Sequence, residues 1–300
     1  MIEIQGVSKS FEEIKALQDI HANIKEGAIF GLIGSNGAGK STLLRIVSGI
    51  LKQDRGTVLV DGEQVYENVK AKENLCFIPD TAYFLPNATG KVMAGQYEMF
   101  YPKFDREQFV KLAETFKLDL DRKIGTFSKG MKKQMSMLLG ICANTKYLLC
   151  DETFDGLDPV MRQAMKSLLA MEIMKRDFTP VIASHNLREL EDICDHVGLL
   201  HKGGILFTKD LEDMKFNSHK VQCVFQNEVD EENVLARLEV MQHHHRGKVV
   251  TIVARGTRLE ILDTVEAVKP IFAEVLPLTL EEIFISETEV AGYDIKKLIF

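Results

Sequence analysis

The sequence contains no tryptophan, and its few cysteines are widely spaced along the 300 residues. An odd number of cysteines without any C-x-x-C pair is typical neither of a disulfide framework nor of a zinc knuckle. We therefore expect reduced thiols and a protein of the cytoplasm. The five cysteines are Cys76, Cys142, Cys150, Cys194 and Cys223.

Long apolar runs and an excess of basic residues are also missing. No stretch approaches the roughly 18 apolar residues of a membrane-spanning helix, and the start, MIEIQGVSKSF, lacks the cationic head and apolar run of a secretion signal. Membrane contact is expected only through a partner. With 37 basic and 44 acidic residues and a net charge of -7, nucleic-acid binding is not expected as the main function.

Short apolar runs alternate with helical patterns in the first part of the chain, and this alternation predicts an α/β fold. Residues 28–33 and 147–150 are predicted to be buried strands, and residues 179–184 are predicted to be a further strand. Residues of about 82–143 have a mainly helical pattern, which indicates an inserted helical subdomain. Lys-Gly-Gly at 202–204 predicts a turn between two short strands. We assign residues 1–215 to this domain.

Residues 216–300 have the pattern of a second, smaller α+β domain. Strands are predicted at 221–225, 249–253 and 271–276, and helices at 232–241 and 259–268. Thr279 and Glu282 have the spacing of a capping box at the start of a last helix. His243, His244 and His245 could bind a transition metal, but three consecutive side chains in a turn diverge, so a solvated loop is favoured.

Residues 34–41 read GSNGAGKS and match the phosphate-binding pattern G-x-x-x-x-G-K-[ST], between a predicted strand and a predicted helix. Backbone N–H groups of such a loop face phosphates, and the helix that begins there adds its positive dipole end. Lys40 is expected to reach the β and γ phosphates, and Ser41 to bind Mg²⁺. The candidate nucleotide-binding residues here are Gly34, Ser35, Asn36, Gly37, Ala38, Gly39, Lys40, Ser41 and Thr42.

Two carboxylates, Asp151 and Glu152, follow the apolar run at 147–150. This position places them at the carboxyl edge of the sheet, where nucleotides bind in open α/β folds. Asp151 is expected to hold the metal, and Glu152 to orient and polarise the attacking water.

Residues 127–131 read FSKGM and are followed by Lys-Lys-Gln, a segment that resembles the signature motif of ATP-binding cassette (ABC) ATPases. The resemblance covers residues 1 to about 210 and implies a P-loop NTPase of the ABC type. It also implies a dimer of two such chains, in which Ser128, Lys129 and Gly130 of one chain meet the ATP of the other. From the residues alone, Ser128 is equally a good helix N-cap.

Other positions match the family one by one. Asp158 closes a segment that resembles the D-loop, His185 resembles the switch histidine, and Phe11 resembles the aromatic residue that stacks on adenine, although it could be a core residue. Asp80 stands where the family usually has the Q-loop glutamine. Asp80 can reach Mg²⁺ through oxygen, but its charge puts the usual γ-phosphate sensing in doubt.

The resemblance implies an ATP-hydrolysing motor subunit, peripheral on the inner face of the cell membrane, that binds a transmembrane subunit on another chain. Tyr83 and Phe84 are candidates for that docking surface. The C-terminal domain resembles the appended domain of drug-export and antibiotic-resistance ABC ATPases, so an exporter is expected. Two alternatives remain open: a soluble ABC ATPase in translation, cofactor assembly or repair, and a regulatory module that hydrolyses ATP poorly.

Overall fold

The structure, a computed structural model, describes residues 1–191 and 193–290. It divides into two compact units, Met1–Thr208 and Lys209–Phe300, of which 291–300 lie outside the described residues. The domain boundary predicted from the sequence lies between residues 215 and 216. The difference arises because a short helix at Leu211–Phe216 packs against elements of the second unit. None of the described helices is long and apolar enough to cross a membrane.

Two sheets form the framework of the first unit. A six-stranded sheet has the order β10-β9-β3-β8-β7-β6, and a four-stranded sheet has the order β2-β1-β4-β5. The strands are β1 Ile2–Phe11, β2 Ile14–Ile24, β3 Phe30–Ile33, β4 Arg55–Val60, β5 Glu63–Gln64, β6 Leu75–Ile78, β7 Tyr147–Asp151, β8 Thr179–Ser184, β9 His196–His201 and β10 Gly204–Asp210.

The centre of the larger sheet is parallel: β3 pairs with β8 and β9, and β7 pairs with β6 and β8. Every residue of β3, β7 and β8 is buried, which explains their continuous apolar runs, because parallel strands are covered on both faces. The three predicted strands are therefore confirmed. The predicted turn between β9 and β10 is present, and Lys202 and Gly203 both have positive φ there.

Helices surround these sheets. Within residues 82–143 the described secondary structure is helical apart from one isolated bridge, which confirms the inserted helical subdomain. The helices of the first unit are α1 Lys40–Val47, α2 Val69–Lys72, α3 Gly90–Phe100, α4 Arg106–Thr115, α5 Lys129–Cys142, α6 Pro159–Lys175 and α7 Leu187–Glu191, with a 3-10 turn at Ile124–Thr126.

Helix α1 is anchored in the main hydrophobic core. Leu43, Leu44, Ile46 and Val47 are buried there against residues of both sheets. Full burial of an aliphatic side chain contributes about 1.5–3 kcal/mol, so these four contacts fix the helix strongly. The helix therefore holds the loop before it at the carboxyl edge of β3.

The second unit has the order β-α-β-β-α-β after a first short helix, and its sheet, β12-β13-β11-β14, has antiparallel β11–β13, β11–β14 and β12–β13 pairs. This is the ferredoxin-like arrangement. The elements are α8 Leu211–Phe216, β11 Ser218–Val224, α9 Glu228–Leu235, β12 Glu239–Arg246, β13 Val249–Arg255, α10 Arg258–Glu266, β14 Phe272–Leu276 and α11 Leu280–Val290.

The prediction of a helix at 232–241 was wrong in its extent. Helix α9 ends at Leu235, and the chain then forms the edge strand β12. Hydrogen bonds to β13 stabilise this strand although its sequence, EVMQHHHR, has no alternation of apolar and polar residues. The histidines consequently lie in a strand rather than in a turn, which is at Gly247 with φ 64°. The predicted capping box of Thr279 and Glu282 is confirmed.

Candidate nucleotide-binding site

The loop between β3 and α1 requires glycine at two positions. A Cβ on Gly34 would lie 2.4 Å from the Leu200 carbonyl oxygen, which is too close for any side chain. Gly39 has φ 107°, and a Cβ there would lie 2.6 Å from the Ala16 carbonyl oxygen. Only glycine has the conformational freedom and the space for this path. The spacing of the motif is thus explained by backbone packing as well as by ligand binding.

Lys40, the first residue of α1, is buried with its ammonium group paired inside the loop. Its Nζ donates to the carbonyl oxygens of Gly34 at 2.7 Å and Ser35 at 3.2 Å. It also lies 3.3 Å from Oε1 of Glu152. A buried charge needs such partners because desolvation is costly. The ammonium is therefore fixed at the mouth of the loop.

Ser41 and Asp151 are brought together as predicted. The Ser41 hydroxyl donates to Oδ1 of Asp151 at 3.0 Å, across the gap between α1 and the end of β7. Burial raises the pKa of the Asp151 carboxyl, and the neighbouring Glu152 contributes in the same direction. A hydroxyl and a carboxylate oxygen are ligands that Mg²⁺ prefers, so these two groups fit that ion.

Glu152 has an unusual backbone conformation, with φ 50°. Its N–H donates to the Ala183 carbonyl oxygen at 2.9 Å, so pairing with the neighbouring strand holds it there. Its Oε2 lies 2.9 Å from Nδ1 of His185. A non-glycine residue with positive φ is costly and often marks a functional site. The carboxylate of Glu152 is thereby held between the ammonium of Lys40 and the imidazole of His185.

Sequence reasoning missed Lys133, which links the signature helix α5 to this cluster. Its Nζ lies 3.1 Å from Oδ1 of Asp80 and donates to the backbone carbonyl of Glu152 at 2.5 Å. Lys133 is buried, whereas Asp80 is about half exposed. The acid at the Q-loop position therefore has a cationic partner within the same chain. The sequence shows Lys133 only as a lysine within α5, and its contact with Asp80 depends on the fold.

Ser128 and Asp158 both cap helices. The Ser128 hydroxyl accepts from the Met131 N–H at 3.2 Å, which confirms it as the N-cap of α5. The Asp158 carboxylate caps α6 by accepting from the N–H groups at 160 and 161. Lys129 lies 3.1 Å from Asp155, and this hydrogen bond lowers the pKa of the Asp155 carboxyl. Lys129 is thus paired within its own chain, although it is largely exposed.

An open cleft of about 350 Å³, in the size range of small-ligand pockets, lies between the phosphate loop and the side chains of Asp80 and Glu152. Phe11 does not line this cleft. It pairs across the β1–β2 hairpin with Ile14, and Ile14 is one of the lining residues. Phe11 is 45% exposed, which argues against a core position, and the Lys9 ammonium lies 5.6 Å from its ring centre. The lining residues are Ile14, Lys15, Ala16, Asn36, Gly37, Gly39, Lys40, Ser41, Thr42, Asp80 and Glu152.

Comparison with known sequences identifies the family. The family model described as "ABC transporter" matches residues 17–155. The ABC transporter ATP-binding protein YtrB of Bacillus subtilis is 31% identical over 96% of this chain and 98% of its own length. The methionine import ATP-binding protein MetN of Clostridium acetobutylicum is 31% identical over 87% and 86%. The bacitracin transport ATP-binding protein BcrA of Bacillus licheniformis is 28% identical over 73% of each chain.

Solved structures share the fold of the first unit. The ATP-binding cassette MJ0796, solved as a dimer in a post-hydrolysis state bound to ADP and Pi, has a TM-score of 0.64 at 21% identity and covers 70% of this chain and 99% of its own. The parallel sheet, the phosphate loop and the paired carboxylates agree with the family of the sequence relatives. This chain belongs to the ATP-binding proteins of ABC transporters.

Proposed function

We propose that this chain is the motor subunit of an ABC exporter, in which Glu152 drives ATP hydrolysis and a transmembrane subunit on another chain responds. The observation that carries the proposal is the position of Glu152, whose carboxylate lies between Lys40 and His185 beside the Ser41–Asp151 pair. This arrangement supports the proposal that a base, a cation and metal ligands act together at one edge of the sheet. Phosphoryl transfer depends mainly on such positioning and charge.

Glu152 is proposed to polarise the attacking water. Its geometry supports this role, because His185 holds one carboxylate oxygen while Lys40 holds the other. His185, 45% exposed, has its Nε2 atom left to meet a phosphate oxygen. Lys40 would exchange loop carbonyl partners for the β and γ phosphates. A general base placed in this way contributes typically about 10²–10⁴-fold to a rate.

Ser41, Asp151 and Asp80 are the residues proposed to hold Mg²⁺, which would neutralise charge on the phosphates when bound. The oxygen ligands of Ser41 and Asp151 fit this ion. Asp80 differs from a glutamine amide by its charge, but Lys133 compensates that charge within the chain. This compensation supports the proposal that Asp80 is compatible with turnover and argues against a module that hydrolyses poorly.

Ser128, Lys129, Gly130 and Asp158 do not line the cleft of their own chain. We therefore propose that they complete the site of a second cassette, as the resemblance to the signature motif implies. The N-cap role of Ser128 is compatible with this, because the free N–H groups at a helix start attract phosphate. Phe11, exposed beside the cleft, is proposed to stack on adenine.

Mixing two inactive variants tests the shared site. K40A removes the phosphate-loop cation, and S128R blocks the signature, so each variant alone is expected to lose ATP hydrolysis. In a mixed dimer, one site pairs an intact loop with an intact signature, so mixing is expected to restore part of the activity. Absence of recovery, with mixed dimers verified by two affinity tags, would contradict a site shared between copies of this chain.

The membrane partner and the direction of transport complete the proposal. We propose that the chain is cytoplasmic, binds the inner face of the membrane through that partner, and does not act on nucleic acid. Export follows from the resemblance to drug-export ATPases, and Tyr83, exposed on the helical subdomain, is proposed for the docking surface. Transport measured in inside-out vesicles, with ATP outside, is expected to move substrate into the vesicle lumen. ATP-dependent movement out of the lumen would indicate an importer.

A further inference from the structure

The edge strand β12 carries two histidines on one face of the second unit. His243 is opposite Ile252 and His245 is opposite Val250 in the register with β13. Ile252 and Val250 both belong to the hydrophobic core of this unit, so the two imidazoles lie on the core side of the sheet. Alternate residues of a strand share a face, which places His244 on the opposite face.

Helix α9 brings a carboxylate to the same place. Val234 of α9 packs in the core with Val250 and Ile252, and Glu231 lies one turn earlier on the same side of the helix. Its Oε1 is 3.0 Å from Nε2 of His245 and 3.8 Å from Nε2 of His243. Glu231 is 15% exposed at its side chain, whereas the two imidazoles are about half exposed. The three groups thus converge at the rim of the core.

We propose that Glu231, His243 and His245 bind a divalent transition-metal cation, of which Zn²⁺ is the natural probe. One ligand atom from each residue lies within 4.8 Å of the other two. Tetrahedral Zn²⁺ with bonds near 2.0–2.1 Å needs ligand atoms about 3.3 Å apart, so small side-chain rotations suffice. Two imidazoles and one carboxylate with an open fourth position form a common zinc ligand set.

The charge around Glu231 supports a cation. Among residues 1–191 and 193–290, the ion pairs of Glu231 are those with the two histidines, and no lysine or arginine is paired with it. A bound cation would supply the missing positive charge. All five cysteines are buried, so thiolates do not compete for the ion at the surface. The cation would join α9 to the edge strand and close this corner of the unit.

Calorimetric titration of Zn²⁺ into the full chain, stripped with EDTA and free of nucleotide, tests the proposal. The wild type is expected to bind one ion per chain at this site. H243A/H245A is expected to lose affinity by about 100-fold or more, because even outer-shell substitutions cost 10–100-fold. E231Q keeps the shape of the side chain and is expected to weaken binding as well. Any weaker binding to acidic groups elsewhere persists in all variants and serves as the baseline.

H244A is the matched control, since it removes a neighbouring histidine from the opposite face of the same strand. It is expected to bind Zn²⁺ as the wild type does. Co²⁺ provides a second readout, because the wild type and H244A are expected to show the absorption of a tetrahedral site that H243A/H245A lacks. Zn²⁺ should also raise the Tm of the wild type and not of H243A/H245A. Equal losses in H244A and H243A/H245A, or no saturable binding by the wild type, would overturn the proposal.

Discussion

Each of the two units contains a glutamate and a histidine whose side chains are about equally far apart. The third side chain beside each pair distinguishes the two sets. Glu152 and His185 are 2.9 Å apart, and the ammonium of Lys40 compensates the carboxylate. Glu231 and His245 are 3.0 Å apart, and the third partner is the imidazole of His243. The first set is suited to polarising water beside a phosphate, and the second is suited to binding a cation. We therefore propose two different chemistries for the same pair of residue types, decided by one neighbour.

E152Q is expected to give the largest difference between the two glutamate–histidine pairs, because it should affect ATP hydrolysis and leave Zn²⁺ binding unchanged. Loss of the carboxylate should reduce the maximal ATPase rate by about 100-fold or more, since a general base contributes about 10²–10⁴-fold. ATP affinity, measured with a fluorescent analogue, should change little because Lys40 remains. Zn²⁺ binding should be unaffected, and H243A/H245A should conversely keep its ATPase rate within about twofold of the wild type. Reduced turnover of equal size in both variants would contradict the separation.

K133M tests whether the charge of Asp80 needs its partner. Lys133 is buried and contacts both Asp80 and the Glu152 backbone, so its loss should move the Glu152 carboxylate and reduce ATPase activity about tenfold. D80Q/K133M removes both charges and is expected to recover part of this loss, which makes the two substitutions non-additive. Steady-state rates of both single variants and the double variant give the coupling. Simple additivity would show that Asp80 and Lys133 act independently.

D151N is expected to stabilise the protein free of metal and nucleotide, although it should abolish rapid turnover. Burial raises the pKa of the Asp151 carboxyl above its ordinary value near 3.8, so its ionised form is a cost to the folded state. Asparagine keeps an acceptor for Ser41 without that charge. Thermal unfolding in EDTA should therefore show a higher Tm for D151N near neutral pH.

The sign of the pH dependence follows from the raised pKa of Asp151. The carboxyl of Asp151 binds a proton more readily in the folded wild type than in the unfolded chain. The destabilisation of the fold by the ionised carboxylate therefore decreases as the pH falls through the folded pKa towards 3.8. The Tm advantage of D151N should decrease over the same range. A D151N protein that is less stable than the wild type at neutral pH would contradict the buried-charge account.

T257A is expected to have the smallest effect, confined to the stability of the second unit. Thr257 and Glu260 form a capping box at the start of α10, and loss of an N-cap threonine costs about 1 kcal/mol. T264A in the same helix is the matched control, because the Thr264 hydroxyl donates to the carbonyl of residue 260 inside the helix and caps no end. Urea unfolding should show the larger loss for T257A, with the ATPase rate unchanged. Equal losses in the two variants would contradict a specific contribution of the Thr257 cap.

Prediction from sequence succeeded where a residue pattern reports a local backbone requirement. Gly34 and Gly39 are imposed by close backbone contacts, and the buried parallel strands require continuous apolar runs. These features can be read from neighbouring letters, so the buried strands and the loop before α1 were predicted well. The N-cap of Ser128 was likewise predictable because capping is local.

Contacts between distant segments explain what was missed. Strand β12 depends on pairing with β13, and its own residues have no strand period, so a helix was predicted through its start. The convergence of His243 and His245 on Glu231 needs both that strand and the packing of α9. Lys133 was overlooked for the same reason, since Asp80 is far from it in sequence. None of these can be derived from spacing alone.

Affinity capture of E152Q tests the account most directly. The variant, loaded with ATP so that the proposed ATP-bound dimer persists, is captured from detergent-solubilised native cells, and the associated proteins are identified by mass spectrometry. The account predicts a membrane protein with several spanning segments at stoichiometric yield. If ATP is needed to retain this protein, it should be absent when K40A is introduced into the same chain. Ribosomal or soluble assembly proteins without a membrane subunit would contradict the transport function and leave only the ATPase chemistry.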